Sequence, residues 1–243
     1  MSFKDDITVL IPTTAMPSQP STEVIDRVLD SIKENLPDSE IIIMFDGLKP
    51  DLLDKKPAYE EYIQKLLWRA NFEAENITPL VFDQWSHQSL MTKQALALVK
   101  TPLILFVECD APLTGEIPWK ELIEVVKSGY ANVIRFHHEA QIHPEHKFMM
   151  LDDKPIDIMG VPLLRTKQWS GRPHLASTEF YRDIASRWDN EPRFIEHIMY
   201  GLVENSGWEQ WRLHIYAPKG TLVRSLHIDG RRLGAETYDP SAS

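Results

Sequence analysis

The stretch Thr101-Pro-Leu-Ile-Leu-Phe-Val-Glu-Cys-Asp110 is a short apolar run that ends in two acidic residues, one position apart. Such a run, bracketed by prolines, is typical of a strand buried on both faces. Because side chains alternate along a strand, Glu108 and Asp110 are expected to point one way and Cys109 the other. Two carboxylates at the end of a central strand suit Mg²⁺ or Mn²⁺ bridging to phosphate oxygens. A strand that simply ends in solvated acids is the alternative interpretation.

Length and composition place the chain among ordinary globular proteins. It has 243 residues, of which 43% are hydrophobic and 26% charged, and one α/β domain of this size is common. The net charge of −10 argues against a nucleic-acid or anionic-membrane binder. The single cysteine, Cys109, excludes an internal disulfide and favours a reducing compartment. We therefore expect a cytoplasmic protein without an integral membrane segment, with peripheral attachment to a membrane left open.

The first half of the chain alternates apolar runs with amphipathic stretches. Ile7–Ile11 and Glu40–Phe45 are predicted strands, and the stretch between them places Val24, Ile25, Val28, Leu29 and Ile32 on one helical face. A right-handed βαβ connection is expected. Further elements are predicted as a helix from Pro57, a strand at Ile77–Phe82, a helix at Leu90–Val99, a helix around Trp119–Val126 and a strand at Asn132–Phe136.

The second half has a less regular pattern. Phe148–Leu151 and Ile156–Met159 are predicted to pair around a polar turn, and Val161–Arg165 to add a strand. Helices are predicted near 177–187 and 192–204, and closing strands at Arg212–Tyr216 and Thr221–His227. No repeat or long linker divides the chain. We predict one domain, residues 1–243, with a nucleotide-sugar-binding half over about 1–112 and an acceptor-side half over about 113–243.

Three predicted strands end in residues that together resemble a known family. Ile7-Thr-Val-Leu-Ile-Pro-Thr13, Ile41-Ile-Ile-Met-Phe-Asp-Gly47 and Leu103-Ile-Leu-Phe-Val-Glu-Cys-Asp110 are similar, in kind and order, to the strand ends of family 2 glycosyltransferases. The resemblance implies a GT-A (Rossmann-like) α/β fold, with a mostly parallel central sheet flanked by helices and a mixed C-terminal half. It extends well over residues 7–135. Glu108 departs from the usual Asp-x-Asp motif, and His87–Lys93 replaces the usual Gly-rich stretch.

The resemblance implies a metal-dependent, inverting transfer of a sugar from a nucleoside diphosphate sugar, with UDP favoured, to a hydroxyl of a glycan or glycoconjugate acceptor. Mn²⁺ or Mg²⁺ is the implied cofactor, held by Asp110 with help from Glu108 and from a late histidine, His227. The residues implied at the nucleotide are Pro12, Thr13, Thr14, Asp46, Gly47, Lys93 and Glu108. A solvated helix lysine and a structural histidine remain the alternatives for Lys93 and His227.

An inverting transfer needs a base that takes the proton of the acceptor hydroxyl. In the family this base lies near the start of an acceptor-side helix, and Glu196 is the nearest match. Asp183 and Glu179 are the next candidates, and a plain helix-dipole role is the alternative. Trp169-Ser-Gly-Arg-Pro-His174 has the aromatic and polar groups that hold sugars, so Trp169, Arg172 and His174 are predicted at the acceptor.

Two other functions are compatible with the same residues. A nucleotidyltransferase would share the metal-binding acid, although Pro12–Pro17 lacks the glycines and basic residue of its usual loop. A non-catalytic carbohydrate- or nucleotide-binding protein would keep the fold without the chemistry. The histidines at 137, 138, 143 and 146 match no zinc spacing, and no Walker or Gly-x-Gly-x-x-Gly motif supports a kinase or dehydrogenase.

Overall fold

A computed structural model describes residues 2–73 and 76–228 of the chain. Its centre is a nine-stranded sheet, in the order β3-β2-β1-β4-β8-β5-β9-β7-β6. The strands are β1 (Ile7–Thr13), β2 (Glu40–Phe45), β3 (Ile77–Val81), β4 (Leu103–Phe106), β5 (Val133–Arg135), β6 (Ile156–Ile158), β7 (Val161–Arg165), β8 (His174–Ser177) and β9 (Leu213–Tyr216).

The helices flank this sheet on both faces. They are α1 (Glu23–Asn35), α2 (Lys56–Phe72), α3 (His87–Ala95), α4 (Trp119–Lys127), α5 (Thr178–Ser186), α6 (Ile195–Glu204) and the short α7 (Trp208–Trp211), with 3₁₀ turns at Pro50–Lys55 and Pro144–Met149. In the described ranges 2–73 and 76–228, none of the helices combines the length and apolarity needed to span a bilayer.

The two halves of the chain differ in strand direction. Strands β1 to β4 pair only in parallel with one another, with β1 between β2 and β4. In the second half, β8 runs antiparallel to both β4 and β5, β9 is parallel to β5, and the β6–β7 hairpin is antiparallel. The predicted α/β sheet with a mixed C-terminal half is therefore confirmed.

Apolar periodicity explains why the first helices pack as they do. The predicted stripe of α1 is buried: Val24, Ile25, Val28, Leu29 and Ile32 all belong to the core on one sheet face. The same core takes alternate residues of β4, Leu103 and Leu105, and continues to Val107 and Cys109. Ile104 and Phe106 pack in the core on the opposite face. The strand is thus buried on both faces, as its unbroken apolar run predicts.

Two predictions for the second half are wrong. Phe148 and Met149 lie in a 3₁₀ turn, and β6 pairs instead with β7. The intervening turn is Met159–Gly160, where both residues have positive φ, 55° and 84°, and this geometry matches the twist of a two-residue hairpin.

The predicted closing strand Thr221–His227 makes only isolated bridges, His137 to Val223 and Leu113 to Ser225. This C-terminal segment instead lies along residues 110–114. Backbone N–H groups of Ile228 and Leu226 donate to the carbonyls of Asp110 and Pro112, and Thr114 donates back to Arg224. His227 is carried to the end of β4 by this pairing.

No strand is predicted from the sequence at the position of β8. Its four residues carry two apolar side chains, too few for a recognisable pattern. Tertiary contacts define it: β8 occupies the space between β4 and β5 and hydrogen-bonds to both. One continuous sheet therefore connects residues of the first half with those of the second.

Candidate functional site

A cavity of about 390 Å³ lies at the carboxyl ends of β1, β2 and β4. Because β2 and β4 lie on opposite sides of β1, the strand order reverses here, which is where open α/β sheets bind ligands. The cavity is lined by Pro12, Thr13, Thr14, Ala15, Met16, Asp46, Lys49, Leu52, Trp85, His87, Gln88, Met91, Glu108, Cys109, Asp110, Phe194 and His227.

Most residues predicted at the nucleotide and metal meet in this cavity. Pro12, Thr13, Thr14, Asp46, Glu108, Asp110 and His227 all line it. Two buried tyrosines of α2, Tyr59 and Tyr62, contact the ends of β1 and β2. The Thr13 hydroxyl lies 3.3 Å from the hydroxyl of Tyr62, and the Tyr59 hydroxyl donates to the backbone carbonyl of Asp46 at 2.9 Å.

The carboxylate of Asp46 caps the start of α3. Its Oδ1 accepts from the backbone N–H of Ser86 at 2.7 Å, and its Oδ2 accepts from that of His87 at 3.0 Å. Burial raises the pKa of Asp46 to about 6, against the lowering effect of these backbone hydrogen bonds. The carboxylate therefore positions the loop before α3 as well as facing the cavity.

Gly47 allows the backbone after β2 to lie close to the backbone of Gln84 and Trp85. A Cβ atom at this position would lie 2.2 Å from the backbone carbon of Gln84 and 2.6 Å from the nitrogen of Trp85. Only glycine permits this approach of two backbones. Gly47 is not among the residues that line the cavity.

The two acids after β4 have different surroundings. Glu108 is enclosed, and its Oε1 accepts from the Gln88 amide at 2.7 Å. Burial, together with the neighbouring charge of Asp110, raises the pKa of Glu108 to about 7, while the Gln88 hydrogen bond acts in the opposite direction. The carboxylate of Asp110 has its Oδ2 3.4 Å from Nε2 of His227. Asp110 is thus the better placed of the two acids to meet a ligand together with a second donor.

Asp110 and His227 offer oxygen and nitrogen donors of the kind that Mn²⁺ accepts. In the part of the chain that the structure describes, no group of three His, Cys, Asp or Glu side chains is arranged to hold a metal ion. A two-donor arrangement fits a cation whose remaining positions are filled by substrate phosphates and water, as is usual for Mg²⁺ and related ions. The residues present therefore fit a metal shared with a ligand, and not a fully protein-enclosed one.

Three aromatic residues that were not predicted from the sequence, Trp85, His87 and Phe194, also line the cavity. The His87 ring lies 4.1 Å from that of Phe194 and 5.9 Å from that of Trp85, measured between centroids. Lys49 places its Nζ 5.7 Å from the Trp85 ring centroid. His87 has a positive φ of 52°, uncommon for a residue with a side chain and a frequent sign of a functional site. These residues come from three segments that are far apart in the sequence, around residues 49, 85–87 and 194, so no local pattern joins them.

Glu196 lies beside the cavity, in the first turn of α6. Its Oε2 accepts from the backbone N–H of Gly171 at 2.6 Å. A Cβ atom on Gly171 would lie 3.5 Å from this oxygen and 3.3 Å from Oε1 of Glu108. The first-ranked base candidate is therefore next to an acid of the cavity wall.

Several other predicted residues lie elsewhere. Asp183 is on the exposed face of α5, where it pairs with Arg187 at 2.5 Å, and Glu179 is exposed on the same helix. Lys93 is outside the cavity lining and lies 3.4 Å from Oδ1 of Asn190. The structure therefore does not bring these three to the cavity.

The three residues predicted at the acceptor are largely occupied within the protein. Trp169 and His174 are 3% and 2% exposed. His174 donates from Nδ1 to the Arg172 carbonyl, and its Nε2 meets the Tyr181 hydroxyl at 2.6 Å. Arg172 forms an ion pair with Glu139 at 2.5 Å. As folded, Trp169 and His174 are core residues and present no surface to a sugar.

Comparison of the structure with solved structures identifies its fold, although no protein-family model and no curated protein sequence matches the chain. S. aureus TarS 1–349 superimposes with a TM-score of 0.56 at 14% identity, over 90% of this chain and 59% of that one. The same protein in complex with UDP-GlcNAc gives 0.57 at 12% identity, over 90% and 57%.

GalNAc-T7 with UDP, GalNAc and Mn²⁺ gives a TM-score of 0.56 at 9% identity, over 87% of this chain and 42% of that one. The chain thus spans less than two thirds of each of these structures. At such identities the similarity establishes the fold, and it confirms the GT-A fold that the sequence predicts.

Proposed function

We propose that this protein is a glycosyltransferase that transfers a sugar from a UDP-sugar to an acceptor hydroxyl, with inversion at the sugar carbon. The observation that supports this most directly is the cavity at the strand switch point, where Thr13, Asp46 and Asp110 meet. The solved structures with the same fold include complexes with UDP, with UDP-GlcNAc, and with UDP, GalNAc and Mn²⁺. A fold shared with such proteins supports the same ligand class in this cavity.

The charge of the cavity supports metal dependence. Asp46, Glu108 and Asp110 all line the cavity, whereas Lys49 is the one lysine among the lining residues of the described chain. Two phosphates beside these acids would be repelled without a cation. Asp110 and His227 would hold Mn²⁺ or Mg²⁺, which when bound supplies charge neutralisation for the departing nucleoside diphosphate.

The chain's own residues have separate roles in this proposal. Asp46 and the backbone of Thr13 and Thr14 hold the nucleoside, and the ring of Trp85, His87 or Phe194 offers a flat surface for it. Glu196 takes the proton of the acceptor hydroxyl. The Gly171 N–H donates to Oε2 of Glu196 and fixes the orientation of this carboxylate.

The proposal predicts that UDP binds much more tightly in the presence of a divalent cation than without one. We expect isothermal titration of the full chain to give UDP binding in Mn²⁺ and a loss of about tenfold or more in affinity with EDTA or in Asp110→Ala. Asp38→Ala is the matched control, because Asp38 is exposed immediately before β2, at the opposite edge of the sheet. This variant should bind as the wild type does.

Two results would contradict the proposal. One is the absence of binding to UDP and to UDP-sugars in both Mn²⁺ and Mg²⁺. The other is equal affinity in wild type and Asp110→Ala. Binding of UDP without any transfer or hydrolysis of UDP-sugars would instead support a non-catalytic nucleotide-binding protein.

A further inference from the structure

A second, much smaller cavity lies in the C-terminal half, under the loop that follows β7. Its volume is about 10 Å³, which is enough for one small ion or one water molecule. It is lined by Val133, Arg135, Thr166, Gln168, Trp169, Ser170, His174, Leu213 and His214. These residues are distinct from the lining of the large cavity.

Arg135 makes this cavity unusual. The residue is 3% exposed, and its Nη2 donates to Oε1 of Gln168 at 3.0 Å. Its Nε and Nη1 are buried and have no hydrogen-bond partner within the described residues. An unmet buried N–H is costly, and an unmet buried cation more so, so such groups normally have a partner.

The charge of Arg135 is not cancelled by a contacting acid. Among residues 2–73 and 76–228, no carboxylate lies within 4.0 Å of its guanidinium. The acids whose charges act on Arg135 are Glu196, whose Oε2 accepts from the Gly171 N–H, and Glu139, which is paired with Arg172. Burial lowers the pKa of Arg135 to about 9, with Arg172 contributing in the same direction, so the guanidinium stays protonated at neutral pH.

The other groups around the cavity include one more unpaired donor, and acceptors that are mostly occupied. The indole N–H of Trp169 is buried and unpaired in the described structure. The Gln168 oxygen already accepts from Arg135, and the Thr166 hydroxyl accepts from the Gln168 backbone N–H at 2.9 Å. The Nδ1 of His214 donates to the Arg212 carbonyl at 3.0 Å, so its buried and unpaired Nε2 is an acceptor in the neutral ring. The unpaired N–H groups of Arg135 and Trp169 outnumber this one acceptor in the described structure, and together with the positive charge they favour a species that accepts hydrogen bonds.

We propose that this cavity binds a single halide ion, with chloride as the natural occupant and the guanidinium of Arg135 as its principal partner. The cavity has room for about one water-sized group, and a monatomic anion combines that size with the required charge. The site is independent of the transfer reaction proposed above. It lies under the Trp169–Arg172 loop, whose Gly171 N–H reaches Glu196.

Bromide provides a direct test on the wild-type protein. Crystals grown in sodium bromide are expected to show an anomalous difference peak within hydrogen-bonding distance of Arg135 Nε or Nη1. Bromide scatters anomalously and water does not, so the two occupants are distinguished by the same data set. An occupied cavity without anomalous signal, or an empty one, would overturn the proposal.

Solution stability provides the second test. Replacing sodium gluconate by sodium chloride at constant ionic strength should raise the wild-type Tm by about 2–4 °C. Arg135→Met should fold, because an apolar side chain can replace a buried unpaired charge, and its Tm should not respond to chloride. Arg165→Met, which removes a more exposed arginine paired with Asp152, should keep the chloride response. An equal response in Arg135→Met would contradict the assignment.

Discussion

Gly171 lies between the carboxylates of Glu108 and Glu196 and has no side chain to separate them. Its N–H holds one oxygen of Glu196 at 2.6 Å, in the manner of a fixed donor that orients a base. The lack of a side chain thus allows an acid of the cavity wall and an acid of α6 to come close together. This proximity to the cavity is one reason why we propose Glu196 as the base.

The assignment is tested by Glu196→Gln. The amide oxygen can still accept from Gly171, but it cannot take a proton, so kcat should fall by about 10²- to 10⁴-fold while UDP affinity is unchanged. Asp183→Asn, on the exposed face of α5, should keep its rate within about twofold, since this exposed side chain pairs with Arg187. Steady-state assays with a UDP-sugar would measure both. A full rate in Glu196→Gln would remove Glu196 from the mechanism.

Gly47 carries a stability prediction at the same scale. Alanine there would place Cβ 2.2 Å from a backbone carbon of Gln84, and a backbone atom cannot rotate away as a side chain can. We expect Gly47→Ala to reduce the free energy of unfolding by about 3 kcal/mol or more, seen as a lower urea midpoint.

Gly201→Ala is the control for Gly47→Ala. Gly201 is exposed within α6, and a Cβ there would meet nothing within 4 Å. This variant should be more stable than wild type by about 0.5–1 kcal/mol, because alanine has the higher helix propensity. Equal effects of the two substitutions would show that the close backbone contact does not govern the cost.

At the scale of elements, the start of α3 depends on Asp46, a residue forty positions earlier. The helix begins without a side-chain cap from Ser86, and the carboxylate of Asp46 accepts from the N–H groups there instead. Such long-range closing of a helix end is invisible to local sequence rules, which look for the cap next to the helix.

Asp46 also predicts a pH dependence of stability. Burial raises its pKa in the folded state from 3.8 to about 6, so the folded protein binds the extra proton between these values. Stability should therefore be highest below about pH 4 for this group and fall as pH rises towards 6, then level off. Relative to Asp46→Asn, which has no such proton, the loss should be on the order of 2–3 kcal/mol.

Urea unfolding of both proteins between pH 4 and 7 would measure this difference, since the other titrating groups are shared. Asp38→Asn, an exposed acid before β2, should show no comparable change relative to wild type. A wild-type advantage that grows with pH would mean that the backbone hydrogen bonds outweigh burial at Asp46.

The elements of the first half were predictable because each carries its own signal. The stripe of α1 and the apolar runs of β1, β2 and β4 need no tertiary information. Strand β8 carries no such signal, since two apolar residues in four fit a loop equally well. The sequence predicts the wrong partner for β6, because the turn residue Met159 is not of a type that usually has a positive φ.

At the scale of the whole molecule, strand order explains which site residues could be anticipated. Residues at the ends of parallel neighbours necessarily meet at one edge, so Thr13, Asp46 and Asp110 could be grouped from the sequence. Trp85, His87 and Phe194 reach the cavity from loops whose paths depend on packing between distant segments. The burial of Trp169 and His174 depends on β8, and so it could not be foreseen without that strand.

The position of β8 beside β4 also affects how the chain folds during its synthesis. On the ribosome, β1 to β4 emerge first, and one hydrogen-bonding edge of β4 stays open until residues 174–177 have been synthesised. At about 5–20 residues per second this interval is on the order of 3–14 s. An apolar strand with an open edge is a template for aggregation. The nascent chain is therefore most dependent on chaperones while this edge of β4 is unpaired.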